Sequence, residues 1–120
     1  MSSVNMFSQY KKKEDHFTNA FVSILQLLSK FDNESFVRDC LPKFFGVKQN
    51  IDTFKVQEKI PHTRVDAELS NNDIYCLIET KIESRTIDEN QIQRYLEHLS
   101  NDNHNIKKLI HSIFNTYMFF

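Results

Sequence analysis

Residues 63–82 read TRVDAELSNNDIYCLIETKI, and the fold turns on how this stretch pairs with itself. Thr63 to Leu69 predicts one strand and Ile74 to Ile82 the next, with Asn71-Asn72 between them as a two-residue hairpin turn. The run Ile74-Tyr75-Cys76-Leu77-Ile78 is apolar on both faces, as in a central strand. Side chains alternate along a strand, so Glu79 and Lys81 share a face while Ile78 and Ile82 point into a core. The register set by Asn71-Asn72 puts Asp66 opposite Leu77, on the face that carries Glu79. Diagonal neighbours on such a ladder lie roughly 7–8 Å apart, a gap two carboxylates can close around one cation. A turn of odd length would send Asp66 to the opposite face, because register has period two.

Two carboxylates and a lysine in this arrangement suit metal-dependent phosphodiester hydrolysis. Carboxylates hold a hard divalent cation. The cation polarises a phosphoryl oxygen and acidifies water. A lysine offsets charge that develops in the transition state. Glu79-x-Lys81 alone has a plain alternative, a solvated strand face with a cross-strand ion pair. Asp66, the hairpin and the helix that follows move the balance toward a site.

Working outward, roughly Ser8 to Lys30 predicts an amphipathic helix with Phe17, Phe21, Ile24, Leu25 and Leu28 as its apolar stripe. Glu14 falls on that stripe, either as a helix-end acid in water or as a group facing a polar site. Asn33 to Phe45 predicts a second helix, with Asn33 as N-cap and Phe36, Cys40 and Phe44 inward. Pro42 kinks it or ends it early, and Gly46, the only glycine, suits its C-cap. Ile51 to Ile60 predicts a first strand. Thr86 and Glu89 form a capping-box pattern opening a helix to about Ser100, with Ile92, Leu96 and Leu99 inward and Gln91 and Tyr95 stacked on one face. Ile106 to Phe114 predicts a last strand, parallel to the third because a helix separates them. The apolar tail Tyr117 to Phe120 reads as buried, as a contact for association, or as the mark of a truncated frame.

The chain of 120 residues is read as one domain with a sizeable core. Its net charge of −1 gives no bulk attraction to nucleic acid, so binding would rest on local patches such as Lys11-Lys12-Lys13 or Lys107-Lys108. No stretch reaches membrane-spanning length, no signal peptide is legible, and a cytoplasmic location is the default expectation. Cys40 and Cys76 sit in apolar patterns and read as buried thiols.

Taken together, these residues resemble the PD-(D/E)xK nuclease superfamily. The carriers are Val65-Asp66, Glu79-Thr80-Lys81, Gln91-x-x-x-Tyr95, and Glu14-Asp15-x-x-Thr18-x-Ala20 on the first helix. The resemblance implies an α/β restriction-endonuclease-like fold with an αβββαβ core, a mixed sheet flanked by helices and one extra N-terminal-side helix. It implies Asp66 and Glu79 as metal ligands, the Thr80 carbonyl as a further oxygen, and Glu14 as an auxiliary acid near the metal. Lys81 would position or activate the attacking water, and Gln91 and Tyr95 would lie beside the site. Mg²⁺ is the implied ion, with Mn²⁺ as the substitute, and nucleic acid, DNA first, the implied substrate. The pattern departs in having Val65 where a proline often stands, and in ending soon after the fourth strand, so that a homodimer or an added specificity partner would complete target recognition. The alternative function is a nuclease-like module that binds nucleic acid or a protein without cleavage. Arg64, Arg85 and Arg94 could reach phosphates, and Glu68 could be a second ligand, although a solvated strand position suits it better. His62 could also touch phosphate, though an exposed loop position suits it better.

Overall fold

Four strands form one mixed sheet in the order β1-β2-β3-β4: β1 Thr53–Ile60, β2 Thr63–Ser70, β3 Ile74–Ile82 and β4 Ile106–Phe114. β1 and β2, and β2 and β3, pair antiparallel, whereas β3 and β4 pair parallel across the intervening helix α4, Glu89–Ser100. The structure is a computed structural model that describes residues 6–60, 63–82 and 89–114. Thr86 of the capping-box pattern, His62, Arg85 and the apolar tail lie outside the described residues.

Helix α1, Met6–Phe31, lies against one sheet face together with α2 (Asn33–Ser35), a π-helical stretch (Phe36–Cys40) and α3 (Leu41–Phe45). Val22, Leu25, Phe36, Leu41 and Phe45 meet Ala67, Leu69, Cys76 and Ile78 there. Helix α4 covers the other face, where Tyr95 and Leu99 meet Val65, Tyr75 and Leu77. Cys40 and Cys76 are buried free thiols, as expected. Among the described residues, no helix is long and apolar enough to cross a membrane.

The apolar stripe of α1 is rotated from the expected one. The line facing the sheet is Glu14, Thr18, Val22 and Leu25, all buried, while Phe17 and Ile24 are exposed. The four-residue spacing of Glu14, Thr18 and Val22 makes one helix face, and Thr18 joins it to the sheet, as described below.

The second helical run corrects three expectations. Its N-cap is Asp32, whose side chain accepts from Ser35 N at 3.3 Å. Pro42 neither ends the run nor breaks it. A proline has no N–H, and its ring collides with the carbonyl four residues back. The chain answers with a π turn just before it, in which Leu41 N–H bonds Phe36 O, five residues back. The wider turn moves the buried side to Leu41 and Phe45 and leaves Phe44 exposed. Gly46 does close the run, at φ 64°.

The β2–β3 turn is even, as the face argument requires, but it lies one residue later, which shifts the pairing register by two. Ser70 pairs with Tyr75, and Asn71 N donates to Ile74 O at 3.0 Å, so Asn72-Asp73 is the turn. Asn71 Oδ1 accepts from both Asp73 N and Ile74 N at 2.7 Å, which fixes Asn71 as the last paired residue. Glu68, not Asp66, therefore stands opposite Leu77. The last β2–β3 pair is Ala67 with Ile78, and one further step of that register leads Asp66 toward Glu79.

A second irregularity lies on the other side of Asp66. The β1–β2 ladder pairs Val56 with Ala67 and Glu58 with Val65, skipping Gln57 and Asp66. Gln57 has φ +48°, a left-handed conformation unusual outside glycine. Alternation breaks here: Ala67 belongs to the core under α1 and Val65 to the core under α4. The kink leaves Val65, Asp66 and Ala67 buried in succession.

In α4 the buried side chains are Leu99, as expected, and Tyr95, fully enclosed, whereas Leu96 is exposed. The helix turns its tyrosine inward because the phenol has a buried partner on β3.

Candidate active site

β3 carries Glu79, Thr80 and Lys81 in succession, and all three are buried. Strand alternation sends Glu79 and Lys81 toward α4 and Thr80 toward α1. Thr80 is thus the point where the two sides of the sheet are joined. Its hydroxyl lies 2.9 Å from that of Thr18 on α1, and Thr18 Oγ1 also donates to the Glu14 carbonyl at 2.9 Å. Its backbone N–H donates to Asp66 Oδ2 at 2.7 Å. The Asp66 carboxylate is therefore pinned to the peptide of Thr80, between the two other motif residues. Gln57 Nε2 donates to the Asp66 carbonyl at 3.4 Å, a polar contact across the skipped pair.

On the α4 side, Tyr95 OH donates to Glu79 Oε2 at 2.6 Å. It also lies 3.1 Å from the Arg64 carbonyl and receives a hydrogen bond from Gln91 Nε2 at 2.8 Å. A phenol has one proton, and the shorter contact to a carboxylate is the stronger. Lys81 Nζ stands 3.2 Å from Glu79 Oε1. One carboxylate is thus gripped at both oxygens, by Tyr95 and Lys81. Burial pushes the Tyr95 phenol well up from its usual range, and the charge and hydrogen bond of Glu79 and the charge of Asp66 push it further. The bond from Gln91 pulls the other way. Tyr95 stays a neutral donor at any ordinary pH.

The structure brings together Asp66, Glu79, Thr80, Lys81 and Tyr95 by direct bonds, with Gln91 attached through Tyr95. Glu14 is fully buried one helical turn from Thr18. Arg64 uses its guanidinium differently from expectation: it pairs with both carboxylate oxygens of Asp15 on α1, at 3.0 and 3.1 Å. Glu68 is not in the site. Its Oε1 accepts from Tyr75 OH at 2.7 Å, and the same hydroxyl meets His98 Nε2 at 2.9 Å. Thr18 is the connector that the sequence reading left without a role. Its signal was present, four residues after Glu14 and so on the same helix face.

Glu14, Asp66 and Glu79 are three fully buried carboxylates, and Lys81 is the single buried cation among the described residues. Buried charge is costly unless compensated by a cation or by hydrogen bonds. Hard oxygen donors in this sign and number fit a divalent ion of the Mg²⁺ or Mn²⁺ type. Among the described residues, no three His, Cys, Asp or Glu side chains stand together as a ligand set. Asp66 and Glu79 each bring one fully buried carboxylate to this part of the sheet.

A family model described as the PD-(D/E)XK nuclease superfamily matches residues 6–117. No curated protein and no solved structure gives a significant match to the chain.

Proposed function

The chain belongs to the PD-(D/E)XK nuclease superfamily, and from that membership we propose that it is a divalent-metal-dependent nuclease that hydrolyses phosphodiester bonds in DNA. The observation that carries this reading is the buried Glu79 carboxylate held by Tyr95 and Lys81, one residue from a peptide N–H that holds Asp66. Asp66, Glu79 and the Thr80 carbonyl would hold Mg²⁺ or Mn²⁺, with Glu14 as the auxiliary acid. A bound divalent ion supplies positive charge at the phosphoryl oxygen and acidifies water.

The chain's own residues do the rest. Tyr95 fixes the rotamer of Glu79 through Oε2, which leaves Oε1 beside Lys81. The Asp66–Thr80 bond fixes the second carboxylate against the first. Lys81 Nζ, with its stem buried, is held where it can orient an attacking water and meet charge developing on the phosphoryl group. Attack is in line, and positioning and electrostatics provide the rate. Exposed Lys12 and Lys13, beside buried Glu14, give the local positive charge that a chain of net charge −1 needs near a phosphate backbone.

The test is cleavage of linear and supercoiled DNA, and of RNA, with Mg²⁺, with Mn²⁺ and with a chelator. Metal-dependent cleavage of DNA that is lost in Lys81→Ala and Asp66→Asn is expected. Nucleic-acid binding without cleavage under any of these ions, unchanged in both variants, would make the chain a binding module and withdraw the catalytic roles.

A further inference from the structure

Thr18 on α1 and Thr80 on β3 meet hydroxyl to hydroxyl, each side chain 1% exposed. Their oxygens lie 2.9 Å apart, and Thr18 Oγ1 is also 2.9 Å from the Glu14 carbonyl. A carbonyl only accepts, so the single proton of Thr18 goes to Glu14, and the Thr80 hydroxyl supplies the proton between the threonines. A directed chain thus runs from β3 through Thr18 to the backbone of Glu14. Further along the same face of α1, Val22 and Leu25 are ordinary core residues. The buried line turns polar only at the end that carries Glu14. An apolar pair would fill the place of two buried hydroxyls without their desolvation cost, so the hydroxyls supply something that packing does not.

What they supply is a short, fixed spacing. Two methyl groups in contact stand about 3.5–4.0 Å apart, so an apolar pair would hold α1 on the order of 1 Å farther from β3 at this point. Thr80 lies between Glu79 and Lys81, and its N–H holds Asp66 at 2.7 Å. A spacing set at Thr80 is therefore set against all three motif residues. The Asp15–Arg64 pair fastens the same stretch of helix but is partly open to water, and such pairs are weak. Resting on the nuclease reading above, we propose that Thr18 is a positioning residue of the reaction: its short bond to Thr80 sets the distance of α1 from β3, and thereby the place of Glu14 relative to Asp66 and Glu79.

Four variants of the whole chain test this, read by melting, by Mn²⁺ affinity from electron paramagnetic resonance, and by steady-state DNA cleavage. Thr18→Val leaves the Thr80 hydroxyl buried without its acceptor and should lower the melting temperature. Thr18→Val with Thr80→Val removes both hydroxyls and should recover most of that loss. The recovered fold should nevertheless keep the wider spacing. Its kcat should fall on the order of tenfold to a hundredfold with KM changed less than about twofold, and Mn²⁺ affinity should fall with kcat. Thr18→Ser keeps the hydroxyl and should stay within about threefold of wild type in both. In a Glu14→Gln background, Thr18→Val should cost no further Mn²⁺ affinity, because the effect runs through Glu14. A valine pair with wild-type kcat and Mn²⁺ affinity, a serine variant as impaired as the valine one, or fully additive losses with Glu14→Gln would each overturn the proposal while leaving the nuclease reading intact. A wild type that neither binds Mn²⁺ nor cleaves would overturn both.

Discussion

Tyr95 on α4 donates a 2.6 Å hydrogen bond to Glu79 on β3, so the helix after the motif strand is what orients the motif carboxylate. The bond is buried and charge-assisted, and such bonds contribute about 1.5–3 kcal/mol. Tyr95→Phe keeps the ring in the core but leaves Glu79 Oε2 and Gln91 Nε2 without their phenolic partner. The variant should lose about 2 kcal/mol of stability, measured by urea unfolding. Divalent-ion affinity should fall with it, because the carboxylate is no longer held in one rotamer. Unchanged stability would mean that water replaces the phenol.

The same residue sets an alkaline limit. Its folded pKa is raised, by burial first and by Glu79 next, above the unfolded value of about 10. Its contribution is fully present below about pH 10 and is lost as pH rises through the folded value. Above pH 10 the unfolded state sheds the proton and the native state keeps it, so stability falls. Tyr75, buried beside Glu68, shifts in the same direction. Wild-type stability should therefore drop more steeply above about pH 10 than that of Tyr95→Phe. Phenolate absorbance from Tyr95 should appear only with unfolding. Ionisation of Tyr95 in the folded protein would contradict the enclosure of the phenol.

Asp66 and Lys81 should separate metal binding from turnover. In Asp66→Asn the amide oxygen still accepts from Thr80 N, so without metal the fold should change by less than about 0.5 kcal/mol. Mg²⁺ should raise the melting temperature of the wild type by binding the native state, and raise that of Asp66→Asn far less. Lys81→Ala should keep the metal-induced shift yet lose on the order of 10²–10³ in turnover. Equal metal shifts in wild type and Asp66→Asn would remove Asp66 from the ligand set.

The contrast between what was legible and what was not follows the kind of information involved. β3 was readable to the residue, Ile74–Ile82, because an unbroken apolar run bounded by polar residues has few other meanings. The parallel β3–β4 pairing followed from one intervening helix. The shared face of Glu79 and Lys81 followed from period two. What was not legible depended on single side chains redirecting the backbone. Asn71 captured two N–H groups and moved the turn by one residue, which shifts the register by two and so preserves parity. Pro42 follows a π turn and the run continues to Phe45, where an early end was one expectation. In α4, Leu96 is the more apolar choice for the core, but Tyr95 wins because Glu79 waits beneath it. The Asp66–Thr80 bond needed the true register together with the kink at Gln57, and neither has a composition signal.

That kink gives the last prediction. Gln57 holds φ +48° between two regular stretches of β1, opposite Asp66, at the point where the strands exchange cores. A left-handed residue with a Cβ costs on the order of 1–2 kcal/mol, and such strain persists where the surroundings over-determine it. A β-branched side chain tolerates this region least. Gln57→Val should therefore destabilise by about 1–2 kcal/mol, although valine is the better strand former. Gln57→Gly removes the Cβ penalty but raises unfolded-state entropy by a similar amount, and it forfeits only a 3.4 Å contact. It should be nearly neutral. If the kink exists to aim Asp66 at Thr80 N, Gln57→Gly should also retain metal affinity, while Gln57→Val should lose it in proportion to stability. A stable Gln57→Val with intact metal binding would mean that β1 can run straight past Asp66, and that the Thr80 contact alone holds the carboxylate.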